Sequence, residues 1–482
     1  MTAYLPGSIR PPSLPKEGVL DLIVANRARE IAKERRRNRA PVLNAGKRRK
    51  PLSLTLALSR PGPRFIFECK KASPTHGPLA PGLDLAGLAE TYARFADVIS
   101  VLTEKKFFGG SLADLSLFRK KTNLPILAKD FFIDEVQVLD AHRAGADAIL
   151  LMLSILDDKA YLHLRNCAKG LGLEILTEVH SAAEMERANS LGAELIGINN
   201  RDLKTLKISF ETTRKLAPLA QPGALLVSES GIATRQDVIA LGKHVDAFLI
   251  GSALMRSNAR DLLVRRLVFG EVKICGITRK SDAHDAYKCG ATYGGLNFVA
   301  GTPRAIPPSR AKQIKAGIPL GWIGVFRGRA PEYAAGIAAQ LELSGVQLHG
   351  QETPAYRARL RSLLPEGCEI WQALALDGCS APRRLPHADR LLFDTRTASQ
   401  FGGTGQTFDW AHLNQTKMPS GYGLAGGIHA GNVLAALAAG APLIDICSGV
   451  EAAPGIKSLK KMKDLFQIIR KFRDGAAEKR PC

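Results

Sequence analysis

Short apolar runs alternate along the whole chain with longer stretches of helical periodicity. In the first half the runs fall at 65–71, 98–104, 125–131, 148–154, 173–179, 195–201, 225–231 and 247–253. In the second half they fall at 272–277, 293–299, 322–328, 346–350, 370–376, 391–396, 422–427 and 443–449. Each run ends in polar residues or glycine. Continuous Val/Ile/Leu runs of this length predict strands covered on both faces, the pattern of parallel sheets. The intervening stretches predict the covering helices.

Eight strand–helix units close a barrel, and the pattern occurs twice. The sequence therefore predicts an α/β chain of two tandem (β/α)8 TIM barrels. A doubly wound sheet gives the same alternation, but two sets of eight, with the glycine loops described below, favour barrels. Residues 261–269 read as a closing helix and Val272 opens a fresh strand, so the boundary falls near Gly270 with almost no linker. The predicted organisation is a flexible segment 1–17, a first barrel 18–269 that opens with a helix over 18–38, a second barrel 270–473 and a flexible tail 474–482.

Composition narrows the class. A chain of 482 residues is too long for one ordinary core and fits two. No apolar run approaches the ~20 residues that span a membrane, and the first 15 residues lack a secretory apolar segment. These features place the protein in the cytoplasm. The 8 cysteines form no C-x-x-C pair and the 10 histidines show no ligand spacing, so no metal site or disulfide scaffold is expected. The net charge of +22 is concentrated near the start, where residues 1–60 hold 14 Lys and Arg against 4 Asp and Glu. A nucleic-acid patch is one reading of that excess. A solvated basic face is the favoured one, because no aromatic residue stands between Tyr4 and Phe65 to stack bases.

Active sites of this architecture sit at the C-terminal ends of the strands. In the first half those ends carry Glu68 and Lys70, Glu104 and Lys105, Lys129 and Asp130, Glu178, Asn199 and Arg201, and Glu229 and Ser230. A single charged residue after a strand is ordinarily a solvated loop residue, whereas a whole ring converging on one mouth is a site. The last two loops, Ser-Glu-Ser-Gly-Ile at 228–232 and Ile-Gly-Ser-Ala at 250–253, have the small residues that let backbone N–H groups approach a phosphate. The second half repeats the pair with Gly426 and Gly427, and with Ser448 and Gly449. It adds Gly-Gly-Thr-Gly at 402–405, which is no Walker loop because no Lys-Ser/Thr follows. Its first strand ends at Cys275 and its sixth at Asp394.

These motifs carry a family resemblance. Glu-Cys-Lys-Lys-Ala-Ser-Pro at 68–74, Lys-Asp-Phe at 129–131, Leu-Thr-Glu-Val at 176–179, Gly-Ile-Asn-Asn-Arg-Asp-Leu at 197–203 and Ser-Glu-Ser-Gly-Ile at 228–232 closely resemble indole-3-glycerol phosphate synthase. Lys-Ile-Cys-Gly-Ile-Thr at 273–278, Val-Gln-Leu-His-Gly at 346–350, the 402–405 loop and Asp-Ile-Cys-Ser-Gly-Val-Glu at 445–451 resemble phosphoribosylanthranilate isomerase. The resemblance spans 18–472 and implies two consecutive activities of tryptophan biosynthesis. The C-terminal barrel would perform an Amadori rearrangement, with Asp394 as acid and Cys275 as base. The N-terminal barrel would close the indole ring with loss of carbon dioxide and water, with Lys129 and Lys70 as acids and Glu178 and Glu68 as their carboxylate partners.

The resemblance further makes Asn199, Arg201, Ser73, Phe131, Gln347 and His349 substrate contacts, and Arg304 the contact for an anthranilate carboxylate. Ser230, Gly231, Gly251 and Ser252 would hold one phosphate; Gly403, Gly405, Gly426, Gly427, Ser448 and Gly449 the other. No metal or organic cofactor is implied. The partners would be small phosphorylated molecules, not nucleic acid or membrane, and a fused pair of barrels would be a monomer. Chemistry adds three expectations. Repulsion between Lys70 and Lys129 should lower one of them from ~10.4, burial by residues 391–393 should raise Asp394 from ~3.9, and Cys275 should be partly thiolate. The sequence departs from the pattern at Thr75 and His76 (usually Ser-Lys), at 79–82 where an Arg is usual, at Thr302 (usually Ser) and at Cys447 (usually Ser). A lysine at a strand end also fits a Schiff-base nucleophile, which makes an aldolase-like use of Lys129 the rival enzyme reading.

Overall fold

The computed structural model describes residues 18–36, 50–74, 77–80, 82–203, 205–375, 384–394, 418 and 421–472. The segments 1–17 and 474–482, the departure at Thr75 and His76, and the candidate glycines Gly403 and Gly405 lie outside the described residues. The chain divides into two compact units between Val264 and Arg265, inside the helix Arg260–Phe269.

The first unit is a closed barrel of eight parallel strands: β1 (Arg64–Cys69), β2 (Val98–Leu102), β3 (Ile126–Lys129), β4 (Ala148–Met152), β5 (Glu174–Val179), β6 (Leu195–Asn199), β7 (Leu225–Glu229) and β8 (Ala247–Ile250). Each strand pairs with the next, and β8 returns to β1 through Arg64↔Ala247 to Phe67↔Ile250. Side chains alternate in and out along each strand. Ile66, Leu127, Leu176, Leu195, Val227 and Leu249 point inward and form one buried layer. Phe67 points outward and meets Tyr92 of the helix Leu85–Phe95, with ring centroids 5.3 Å apart.

The short helix Leu54–Leu58 adds Leu54, Ala57 and Leu58 to that layer. Its Thr55 backbone N–H and hydroxyl both donate to Glu174, at the first residue of β5, so it plugs the N-terminal end of the barrel. At the other end, Val19, Leu20 and Ile23 of the entry helix Val19–Arg36 reach the mouth, with Arg27 donating to Asp130 at 2.8 Å.

The second unit repeats the design with β9 (Glu271–Ile274), β10 (Tyr293–Asn297), β11 (Gly321–Phe326), β12 (Gly345–Leu348), β13 (Glu369–Ala375), β14 (Arg390–Asp394), β15 (Gly423–Ala425) and β16 (Leu443–Ile446). Tyr293, Ile323, Trp371, Leu392, Ala425 and Leu443 form its inner layer. Tyr293 and Trp371 meet edge to face at 5.1 Å, a favoured aromatic geometry. All sixteen predicted runs overlap a barrel strand, and the fold class follows as two TIM barrels. Two small antiparallel pairs, Ala72–Ser73 with Gly77–Pro78 and Glu451–Ala453 with Ile456–Lys457, are additions the periodicity did not indicate, being too short to show a period.

Candidate active sites

The alternation that buries the inner layer also builds the first mouth. Two residues beyond Ile66 on the same face stands Glu68, and beyond Leu127 stands Lys129. Glu178 follows Leu176, Glu229 follows Val227 and Gly251 follows Leu249. The twelve candidates of this half, Glu68, Lys70, Ser73, Lys129, Phe131, Glu178, Asn199, Arg201, Ser230, Gly231, Gly251 and Ser252, all line one cavity of about 500 Å³.

Its centre is a set of charge pairs. Lys70 Nζ lies 2.7 Å from Glu68 Oε1. Lys129 Nζ lies 2.6 Å from Glu229 Oε2 and 3.3 Å from Glu178 Oε2. Asn199 Nδ2 donates to the other oxygen of Glu178 at 3.1 Å. Burial alone would lower the Lys129 ammonium, but Glu229, Glu178 and Glu68 outweigh it and raise its pKa well above the ordinary value. Lys129 is therefore not the one of the two lysines that repulsion lowers: three carboxylates face it, and they dominate. A lysine held charged in this way is a poor amine nucleophile, which weighs against the Schiff-base reading.

The carboxylates divide. Burial would raise Glu68, yet Lys70 and Lys129 hold it below the usual range. Glu178 also lies below it, held against burial by Lys129, His180 and Asn199. Glu229 goes the other way, pushed up to about 7 by burial and by Glu178 despite Lys129. Two acids beside one lysine with opposed pKa values are the arrangement that proton-transfer sites use.

The sequence places Glu229 in the strand-end ring without a role and does not single out His180. Glu229 sits in the phosphate-loop motif, which hides its reach to Lys129. His180 follows directly after β5 and stands 3.2 Å from Glu178 Oε1 and 3.3 Å from Glu184 Oε2. By contrast, two strand-end groups from the sequence ring serve structure. Glu104 accepts the backbone N–H groups of Lys106, Phe107 and Phe108, and Asp130 is taken by Arg27 and the Thr103 hydroxyl.

The loops expected to hold phosphate need small residues for a physical reason. A Cβ on Gly251 would stand 2.1 Å from Glu68 Oε1, so only glycine admits the carboxylate beneath. The helix Ser252–Arg256 starts directly after it. Asn200 braces the neighbouring loop by donating to the carbonyls of Glu229 and Ser230 at 3.0 and 3.2 Å.

In the second barrel the same inward rows place Lys273 and Cys275 on β9 and just beyond it, Gln347 and His349 on and beyond β12, Asp394 at the end of β14, and Asp445 and Cys447 on and beyond β16. Lys273 is fully buried and donates to Gln347 Oε1 at 2.7 Å and Asp445 Oδ2 at 2.8 Å. Asp445 is pushed up to about 6 by burial, against the pull of Lys273. Asp394 is 5% exposed above buried Leu392 and Phe393, with His349 Nε2 3.7 Å from its Oδ2. Arg304 forms a two-pronged pair with Glu451 at 2.9 and 2.6 Å, and Lys457 holds the same carboxylate at 2.8 Å.

The expected thiolate falls on a different sulfur. The Cys275 thiol is raised well above its ordinary value, first because it hydrogen-bonds Cys447 and then by burial. Cys447 is lowered to about 6 by that same hydrogen bond, helped by Lys457 and Arg304. Sequence reading had noted Cys447 only as a departure and gave Lys273 and Asp445 no role. Of the second phosphate set, Gly426 and Gly427 follow β15, and Ser448 and Gly449 lie in the 3-10 turn Ser448–Val450. A Cβ on Gly449 would meet the Ile428 carbonyl oxygen at 2.0 Å, so the two loops touch only because it is glycine.

Two closed barrels with differently charged mouths define a two-domain (β/α)8 protein. The sequence model of indole-3-glycerol phosphate synthase matches residues 20–267, and that of N-(5'-phosphoribosyl)anthranilate isomerase matches 272–468. The Vibrio cholerae "Tryptophan biosynthesis protein TrpCF" is 43% identical over 417 residues, covering 86% of this chain and 88% of that protein. The Salmonella typhi protein of the same name is 41% identical over 456 residues, covering 94% and 99%. The chain belongs to the indole-3-glycerol phosphate synthase family through its first barrel and to the phosphoribosylanthranilate isomerase family through its second.

The His180 geometry has a consequence for stability. Burial opposes its charge, but Glu178 and Glu184 raise its pKa from 6.5 to about 10. A raised pKa in the folded state stabilises fully below about 6.5 and is lost as pH rises through about 10. The urea midpoint of the native chain should therefore fall between pH 7 and pH 10 by more than that of His180→Gln. Equal falls in the two proteins would refute the pairing.

Proposed function

We propose that Asp394 and Cys275 carry the rearrangement of N-(5-phosphoribosyl)anthranilate to 1-(2-carboxyphenylamino)-1-deoxyribulose 5-phosphate, and that Lys129, Lys70 and their glutamates convert that product to indole-3-glycerol phosphate. The chain is a bifunctional enzyme of tryptophan biosynthesis, a decarboxylating lyase and an isomerase, acting on phosphorylated small molecules. The observation that carries the division of roles is the different stock of proton donors and acceptors at the two mouths.

In the second barrel the rearrangement needs a proton at the sugar ring oxygen and the loss of one from the neighbouring carbon. Asp394 supplies the first and Cys275 accepts the second. For Cys275 to become a base, its own proton moves along the existing hydrogen bond to the Cys447 sulfur. Lys273, which touches Cys275 from below, stabilises the charge that arrives there. Arg304, held rigid by Glu451, presents its remaining guanidinium edge to the substrate carboxylate. Gly403, Gly405, Gly426, Gly427, Ser448 and Gly449 take the phosphate, and Gln347 and His349 line the sugar.

In the first barrel, attack of the aromatic ring on a carbonyl needs a proton at the forming hydroxyl. Decarboxylation follows, and dehydration then needs an acid while rearomatisation needs a base. The charged Lys129 and Lys70 are the donors. Glu178, kept ionised, and Glu68 stabilise the positive charge that builds in the intermediates and receive protons. Asn199 and Arg201 bind polar groups, Ser73 and Phe131 line the ring, and Ser230, Gly231, Gly251 and Ser252 hold the phosphate.

The sites should be separable. Cys275→Ala or Asp394→Asn is expected to lower isomerisation by ~10²- to 10⁴-fold and leave ring closure intact, while Lys129→Ala or Glu178→Gln does the reverse. Loss of both activities from either set, in folded protein, would overturn the two-site assignment. We also assign the enzyme to the cytoplasm as a monomer. Light scattering should return one 51.9 kDa species, and a mass near twice that would contradict it.

A further inference from the structure

Strands β9 and β16 are hydrogen-bonded neighbours in parallel register, with Ile274 opposite Ile446. One residue further along each strand come Cys275 and Cys447, and the Cys275 backbone N–H donates to the Ile446 carbonyl at 2.8 Å. Paired strands run ~4.7–4.9 Å apart, which sets the two Cα atoms within the ~4.4–6.8 Å that a disulfide spans. Both side chains belong to the inward rows, and the two thiols are near enough to shift each other's titration in opposite directions. Neither cysteine is fully buried.

The surroundings activate one of the pair. Lys457 Nζ stands 3.8 Å from the Cys447 sulfur and donates to the Cys447 carbonyl at 3.1 Å. With Cys275 and Arg304 it brings Cys447 down to about 6, so that this thiol is largely ionised at neutral pH. Thiolates, not thiols, react with peroxides, and a low-pKa cysteine beside a second cysteine is the arrangement that yields a disulfide instead of overoxidation.

We propose that Cys447 is an oxidant-reactive site, and that peroxide joins it to Cys275 in a reversible disulfide that disarms the isomerase mouth. The Cys447 thiolate attacks one peroxide oxygen; the O–O bond breaks, leaving a sulfenic acid and a hydroxide that is protonated to water. The Cys275 sulfur then attacks the Cys447 sulfur. The S–S bond forms, the S–O bond breaks, and the hydroxyl leaves as water with the Cys275 thiol proton. Two thiols give up two electrons, and one peroxide becomes two waters. A dithiol reductant reverses the bond.

The effect on activity rests on Cys275 being the base; the bond itself does not. Hydrogen peroxide added to the full-length chain should produce a proteolytic fragment linking Cys275 to Cys447, two hydrogens lighter than the separate pieces. Isomerisation should fall at least tenfold, ring closure should persist, and dithiothreitol should restore the isomerase. In Cys447→Ser and Cys447→Ala the linked fragment should be missing, and whatever isomerase activity each variant has should resist the same peroxide dose. Absence of the linked fragment from the native chain would overturn the disulfide. A linked fragment with full isomerase activity would instead overturn the role of Cys275, and with it the switch.

Discussion

Closing eight parallel strands into a ring leaves alternate side chains no choice but the lumen, and everything functional in this chain follows from that constraint. The lumen is filled in its middle by one apolar layer in each barrel, such as Ile66, Leu127 and Leu249 in the first and Ile323, Trp371 and Leu392 in the second. The next inward position on each strand therefore stands on a dry, rigid floor and faces its counterparts across a few ångströms. Glu68, Lys129, Glu178 and Glu229 meet because the pleat brings them there, although up to 161 positions separate them in the sequence.

A floor of that kind makes charge compensation compulsory. An ammonium or carboxylate taken from water must find a partner, and each mouth meets the demand differently. In the first, Lys129 is shared by Glu178 and Glu229, so one acid stays ionised and the other is pushed towards holding a proton. In the second, the buried Lys273 is answered by Asp445 and Gln347, and the two thiols above it are shifted in opposite directions. The pKa differences that proton-transfer chemistry requires are a by-product of packing charges on an apolar layer.

That dependence also explains what could be read from the chain in advance. The strands were legible because burial on both faces demands continuous apolar runs, and the mouth residues because they follow those runs directly. Lys129 and Glu178 announce themselves in this way, as do Cys275 and Asp394. The partnerships were not legible. Repulsion was expected to lower one of Lys70 and Lys129, yet Lys129 is raised by Glu229, which is 100 positions away and looked like part of a phosphate loop. Likewise the thiolate was expected on Cys275, but it falls on Cys447, because only strand register sets the two sulfurs side by side.

One chain carries the enzymes of both steps. Purified full-length protein supplied with N-(5-phosphoribosyl)anthranilate alone, and followed by the indole absorbance, tests it most directly. Steady growth of the indole signal with release of carbon dioxide is the predicted result. Consumption of the substrate that halts at the carboxyphenylamino deoxyribulose phosphate, or no consumption at all, would contradict it.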